Sequence, residues 1–362
     1  MITQTRSIMT PVTPTHTYRG RRAATIEDEA IRVTVLAEGG HIAEVLDKET
    51  AVNPLWTPPW RSIEPSTFDA AVHGRTYGTG SDAKLLAGIM GHNLCLDIFG
   101  GPSNDEAAAG LTAHGEGSVA EYEIVESPGA LVMRAMLPLA RLRFERRIEL
   151  RARDIRVHER VESQCAFDRP IGWTQHVTLG PPFLEKGRTE FRASATRSHV
   201  FESESGVADY LRRGAQFDWP NAPRSDGGVA DLSCFTSAPK SSAYTAHLMD
   251  SKADAFFLAF SPALGLVFGY VWNPRDFPWM GIWEENCSRA RSPWNGETVA
   301  RGMEFGVSPF PEARRAMVDR GRMFDTPTFR WLPANGRLET DYSIVLRRAD
   351  RIPDSLDGGP AR

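Results

Sequence analysis

The sequence predicts an all-β protein, a large antiparallel β-sandwich whose long loops form a site. Three observations carry that prediction. Apolar residues alternate with period two, turn signals recur at a spacing of roughly 8–12 residues, and helical periodicity is scarce.

The first element is a hairpin. Ile31, Val33 and Val35 alternate with polar residues up to the turn Glu38-Gly39-Gly40, and Ile42 to Leu46 resume the pattern. The stretch from Tyr122 to Val161 holds three further runs. They are carried by Leu131, Met133 and Ala135, by Leu142, Phe144, Arg146 and Ile148, and by Ile155, Val157 and Val161. The turns Ser127-Pro128-Gly129 and Arg153-Asp154 punctuate them. Ala255–Tyr270 reads as two strands around Ser261-Pro262-Ala263, and Leu338–Leu346 as the last strand, after Pro333-Ala334-Asn335-Gly336. Three connections are long and unusual: Asn53–Phe68 is rich in Pro and Trp, Gly74–Gly117 in Gly, and Trp272–Asn295 in Trp, Pro and Glu. Aromatic and acidic loops on a rigid β scaffold are a usual place for a site.

The chain has 362 residues, 41% of them hydrophobic, so it can bury a sizeable core. The expected organisation is a flexible segment over 1–22, one β-sandwich domain over 23–349, and a flexible tail over 350–362. A formal charge of −4, without a basic stripe, argues against nucleic acid or an anionic membrane as partner. No apolar run reaches the roughly 18 residues that a spanning helix needs. The four cysteines form no CxxC pair and the first 20 residues contain no apolar signal core, so the expected compartment is the cytoplasm. The expected state is monomer or homodimer.

Two residues stand out as candidate acid–base groups. In the run from Ile171 to Gly180, one strand face carries Gly172, Thr174, His176 and Thr178, and the other carries Trp173, Gln175, Val177 and Leu179. The histidine shares its face with small polar groups; the bland alternative is a hydrogen-bonded core histidine. In the run from Ala300 to Pro309, Gly302 and Gly306 flank Glu304 on one face, leaving volume beside a carboxylate, although strand glycines also mark bulges. His114 lies in a glycine-rich loop with Glu116 two residues on, without the pattern of a phosphate cradle. Trp283, Glu284 and Glu285 suit a sugar, since flat aromatic faces stack on pyranose C–H faces and carboxylates bind hydroxyls; packing of a loop is the alternative. Trp56, Trp60 and Arg61 repeat that composition. His73, His92, His114 and Glu116 share a segment but lack ligand spacing, so no metal site is expected.

Together these segments resemble the aldose 1-epimerases of the galactose mutarotase-like superfamily. The His114-Gly115 pair is similar to the family's first active-site histidine, the Gln175-His176 strand to its catalytic histidine strand, and Gly302–Pro311 to its late glutamate strand. The family's Tyr-Phe-Asn after the histidine is absent here, as is its Gln after the glutamate. The resemblance implies a supersandwich fold and a small-molecule carbohydrate as ligand. It further implies Glu304 as base, His176 as acid, His114 and Arg61 as substrate-binding groups, and no cofactor. Another sugar enzyme on the same scaffold, such as a lyase or an isomerase of a modified sugar, and a non-catalytic sugar-binding protein remain open alternatives.

Overall fold

Residues whose side chains alternate between two environments must lie in sheets that bury one face each, and two such sheets stack here. The computed structural model describes residues 16–249 and 252–354. Among them, a 12-stranded sheet begins at His16–Tyr18 and runs through Arg21–Glu27, Ile31–Leu36 and Ile42–Asp47 to His92–Asp97. It continues through Arg169–Leu179, Val299–Gly306, Trp279–Asn286 and Ser241–Leu248 towards Gln216–Asp218. An eight-stranded sheet, from Glu190–Ala193 to Glu123–Ser127, packs across it, with Arg337–Arg348 between Leu266–Trp272 and Asp154–Ser163. All strand pairings in both sheets are antiparallel. The fold is an antiparallel β-sandwich, as the alternation predicts.

The expected hairpin is Ile31–Leu36 with Ile42–Asp47. The three expected strands after Tyr122 are Ala130–Leu137, Leu142–Arg151 and Asp154–Ser163. Their inward residues, among them Leu131, Leu142, Ile148 and Val157, meet Trp173, Val177, Met303 and Phe305 of the larger sheet in one apolar core.

Two of the expected loops contain structure. Trp279–Asn286 is a central strand, and the glycine-rich stretch from 74 to 117 contains three short helices and the strand His92–Asp97. The expected flexible segment also reaches into strands, because His16–Tyr18 pairs with the strand that starts at Arg21, while residues 1–15 lie outside the described residues. In the expected tail, Ile352 is buried, and residues 355–362 lie outside the described residues. No helix among the described residues is long and apolar enough to cross a membrane.

The inter-sheet space also holds a polar network. Arg146 donates to Glu159 at 2.7 Å, and both side chains are almost wholly buried. Trp173 (3.1 Å), Gln175 (2.6 Å) and Tyr342 (2.9 Å) donate to the same carboxylate. His92 completes the cluster, lying 2.9 Å from Gln175 Oε1 and 3.0 Å from the Tyr270 hydroxyl. The amide oxygen can only accept, so His92 carries its proton on Nε2 and accepts from Tyr270 at Nδ1. Burial, reinforced by Arg146, holds this imidazole well below its ordinary pKa.

Candidate active site

The outward face of the larger sheet is covered by loops, and the candidate residues meet beneath them. His176 and Glu304 are directly opposed across neighbouring antiparallel strands, and Asn93 is opposed to His176 on its other side. Opposed side chains of one face are close neighbours. His176 Nε2 therefore lies 3.0 Å from Glu304 Oε1. The approach is not aligned as a hydrogen bond, and Oε1 has no hydrogen-bond partner among the described residues. Thr178, two residues on and on the same face, fixes the ring by placing its hydroxyl 3.1 Å from Nδ1. Tyr244 donates to Glu304 Oε2 at 3.1 Å. Burial, and then the neighbouring carboxylate, push this phenol well above its ordinary pKa, so it stays protonated and acts as a donor.

His114 reaches the same place from a loop. Its φ is +65°, Gly115 follows at +80°, and a Cβ on Gly115 would meet the Leu96 carbonyl at 2.0 Å. Only glycine allows that approach, which is the physical content of the His-Gly pair. The imidazole sits with its centroid 4.9 Å from that of His176, and its Nδ1 has no hydrogen-bond partner among the described residues. Burial, with His176 and His41 adding to it, lowers its pKa well below the usual value, so His114 is neutral.

These groups line a cavity of about 300 Å³. Its aromatic walls are Trp56, Trp283, Trp294, Phe99 and Phe201, and its rim carries Asp82, Glu204, Arg289 and Arg291. A larger groove of about 720 Å³ lies elsewhere on the surface, where Arg134 pairs with Glu145 and Arg160 with Glu162. Its charges are mutually neutralised and it contains none of the candidate acid–base groups.

The structure thus brings together Glu304, His176, His114 and Trp283 of the predicted residues. It does not bring Arg61, Glu284 or Glu285 to the cavity. Arg61 is exposed, and its backbone carbonyl accepts from Tyr77. Glu284 points to the opposite face of its strand, opposed to the buried Arg301, where it accepts from Ser241 at 2.5 Å. Glu285 is used structurally: it accepts from the Ser288 and Arg289 backbone N–H groups at 2.7 and 3.1 Å and lies 3.3 Å from Arg289 Nη1. Its effect is to hold Arg289 at the rim, where that guanidinium lies 5.5 Å from the Trp283 ring and 4.9 Å from the Trp294 ring. His73, His92 and Glu116 are not at the site either. No group of three or more His, Cys, Asp or Glu among the described residues could hold a metal ion.

The glycines beside Glu304 differ from expectation. The space above Gly302 is filled by the Glu304 carboxylate and that above Gly306 by Thr174 and the Trp173 carbonyl, so neither is open to a ligand. A Cβ on Gly302 would lie 2.4 Å from Glu304 Oε1, and one on Gly281 would lie 2.0 Å from the Tyr244 hydroxyl. Gly302→Ala is therefore expected to push the carboxylate aside and lower catalytic turnover about a hundredfold, since misplacement by an ångström can cost that much. The nearest obstructed atom ends a side chain while Trp283 Cβ would lie 3.1 Å away, so the melting temperature should fall only modestly; a large fall in it with turnover per folded molecule unchanged would refute this account.

Comparison with solved structures agrees with this fold. A protein provisionally named aldose 1-epimerase from Klebsiella pneumoniae superposes with a TM-score of 0.65 at 14% identity, covering 93% of this chain and 83% of that one. The chain has the galactose mutarotase-like fold. A galactose mutarotase related enzyme from Lactobacillus acidophilus gives a TM-score of 0.57 at 15% identity, covering 91% of this chain and 99% of that one. A second provisionally named aldose 1-epimerase, from Escherichia coli K12, gives 0.58 at 14%, with 91% and 100% covered. No protein-family model and no curated protein matches the sequence. A galactose mutarotase-like fold fixes a scaffold rather than a reaction, so function must be argued from the site.

Proposed function

We propose that the chain is a sugar isomerase of the aldose 1-epimerase type, which interconverts the anomers of a free pyranose. The observation that carries this reading is the pairing of Glu304 and His176. An acid and a base stand 3.0 Å apart, the carboxylate oxygen facing the imidazole accepts no aligned hydrogen bond among the described residues, and the pair faces a tryptophan-lined cavity sized for one sugar ring. Mutarotation moves protons at two oxygens that share one carbon, so its acid and base must both reach the anomeric centre, as two groups on adjoining strands of one sheet face can. Glycoside hydrolysis by paired carboxylates calls for about 5–9.5 Å between them instead.

In the forward step Glu304 Oε1 takes the proton from the anomeric hydroxyl. The C1–O1 bond becomes a carbonyl, the bond from C1 to the ring oxygen breaks, and the ring oxygen takes a proton from His176 Nε2. Rotation about C1–C2 presents the other carbonyl face, and the same two groups close the ring with their roles reversed. Tyr244 steadies the carboxylate, and Thr178 keeps the imidazole in register with it. Neutral His114 supplies a hydrogen bond to the ring substituents without adding a charge.

The test is the approach to anomeric equilibrium of freshly dissolved α-aldopyranoses, followed by polarimetry and by NMR exchange between anomers. Acceleration proportional to protein concentration is the expected result. A rate equal to the uncatalysed rate for every hexose, pentose and deoxysugar tried would remove the reading.

A further inference from the structure

The cavity is two-sided. The sheet side is polar, formed by Glu304, His176, Thr178 and Tyr244 together with His114. An apolar part of the lining is formed by Leu85, Leu86 and Ile89 at the short helix Ala83–Gly88, which packs with Trp56 and Trp294 and carries Asp82 at its N-terminal end.

A polar acceptor could still exist on that side if the backbone carbonyls at the helix end were free, as they are at most helix C-termini. Here each has a partner. The Leu85 carbonyl accepts from Ile89 N–H at 2.7 Å, Leu86 from the Trp60 indole at 2.9 Å, Ala87 from Ile63 N–H at 2.8 Å, and Gly88 from Arg21 at 2.7 Å. A sugar hydroxyl turned towards Leu85, Leu86 and Ile89 would leave water and find aliphatic carbon, the one carboxylate of this helix, Asp82, standing at its N-terminal end. An uncompensated buried hydroxyl is unfavourable, while a methyl group in the same place is favourable.

We propose that the substrate is a 6-deoxyhexose, a pyranose whose C5 substituent is a methyl group, seated with that methyl against Leu85, Leu86 and Ile89. The proposal rests on the sugar-isomerase reading for its choice of ligand class, and on the helix for the deoxy position. The cavity volume of about 300 Å³ stands at the low end for small-molecule sites, which suits one ring without an attached second sugar.

Two matched series test it. D-Galactose, D-fucose and L-arabinose share ring configuration and differ only in carrying hydroxymethyl, methyl or hydrogen at C5. D-Glucose, 6-deoxy-D-glucose and D-xylose do the same. Anomer exchange is measured by NMR, and binding by quenching of tryptophan fluorescence, which reports on Trp56, Trp283 and Trp294 independently of turnover. The expected result, in at least one series, is that the methyl sugar exceeds the hydroxymethyl sugar by about 10- to 100-fold in kcat/KM, the usual limit of an apolar pocket's discrimination against an added hydroxyl. The pentose should fall between them. Ile89→Thr, which adds a hydroxyl with little change of shape, should narrow the ratio.

If sugars of both kinds react with hydroxymethyl equal to or above methyl, the deoxysugar inference fails and the isomerase reading stands. If none reacts but the methyl sugars bind more tightly, the isomerase reading fails and only the seating of a methyl group against the helix stands. An unchanged ratio in folded Ile89→Thr overturns the assignment to the helix. Neither turnover nor binding in any series overturns both.

Discussion

Glu304→Gln is expected to lower the rate of anomer interconversion by about a thousandfold, with the protein folded and sugar binding kept within a few fold. The size follows from what the carboxylate does. A positioned general base contributes roughly 10²–10⁴-fold, and here the same group must act as base in ring opening and as acid in ring closure. Glutamine keeps the volume of the side chain, and its carbonyl oxygen still accepts from Tyr244, whose hydroxyl donates to Glu304 at 3.1 Å. It has no lone pair basic enough to take the anomeric proton. The residual rate should come from orientation in the cavity alone. Activity within tenfold of wild type, measured by NMR exchange at saturating sugar, would mean that another group is the base. Asp82 and Glu204 at the rim are the remaining carboxylates of the cavity.

How much of this was legible in the sequence depends on what covers each strand. In Leu142–Arg151 and Asp154–Ser163 one face meets the core and the other meets solvent, so alternation of apolar and polar residues reports them directly. In Ser241–Leu248 every residue is buried, because loops cover the outer face of the larger sheet, and the alternation disappears. Tyr244 went unrecognised for that reason. Trp279–Asn286 read as a loop because Gly281 and its tryptophans look like punctuation, although that glycine is there to admit the Tyr244 hydroxyl. His176 and Glu304 were legible because small neighbours on the same face set them apart. Glu284 and Glu285 show the limit of composition: adjacent in a strand, they point to opposite faces, and both are occupied with partners remote from the acid–base pair. Arg61 and Arg289 make the same point, since only tertiary structure decides which arginine reaches the rim.

The buried pair beneath the site leads to the second large effect. Arg146 shares its strand face with Leu142, Phe144 and Ile148, so it enters the core where an aliphatic residue would ordinarily stand. Its guanidinium is there because Glu159 is, and it also donates to the Gly40 carbonyl at 2.8 Å and the Gln175 side chain at 3.2 Å. Arg146→Met keeps the apolar stem but leaves a buried carboxylate without its counter-charge, which should cost about 3–5 kcal/mol of stability. Trp173, Gln175 and Tyr342 still donate to that carboxylate, which places the expectation in the lower half of the range. Adding Glu159→Leu should restore only part of the loss, because it removes the uncompensated charge but leaves the Trp173, Gln175 and Tyr342 donors without that acceptor. Urea midpoints of the single and double variants measure both terms. A single variant within 1 kcal/mol of wild type would show that the carboxylate is protonated or hydrated in the fold. Gln175 precedes His176 and lies on the other face of the same strand, so anomer exchange by the folded double variant also reports whether this network serves only the core. An unchanged kcat with partly restored stability would confine its role to holding the two sheets together.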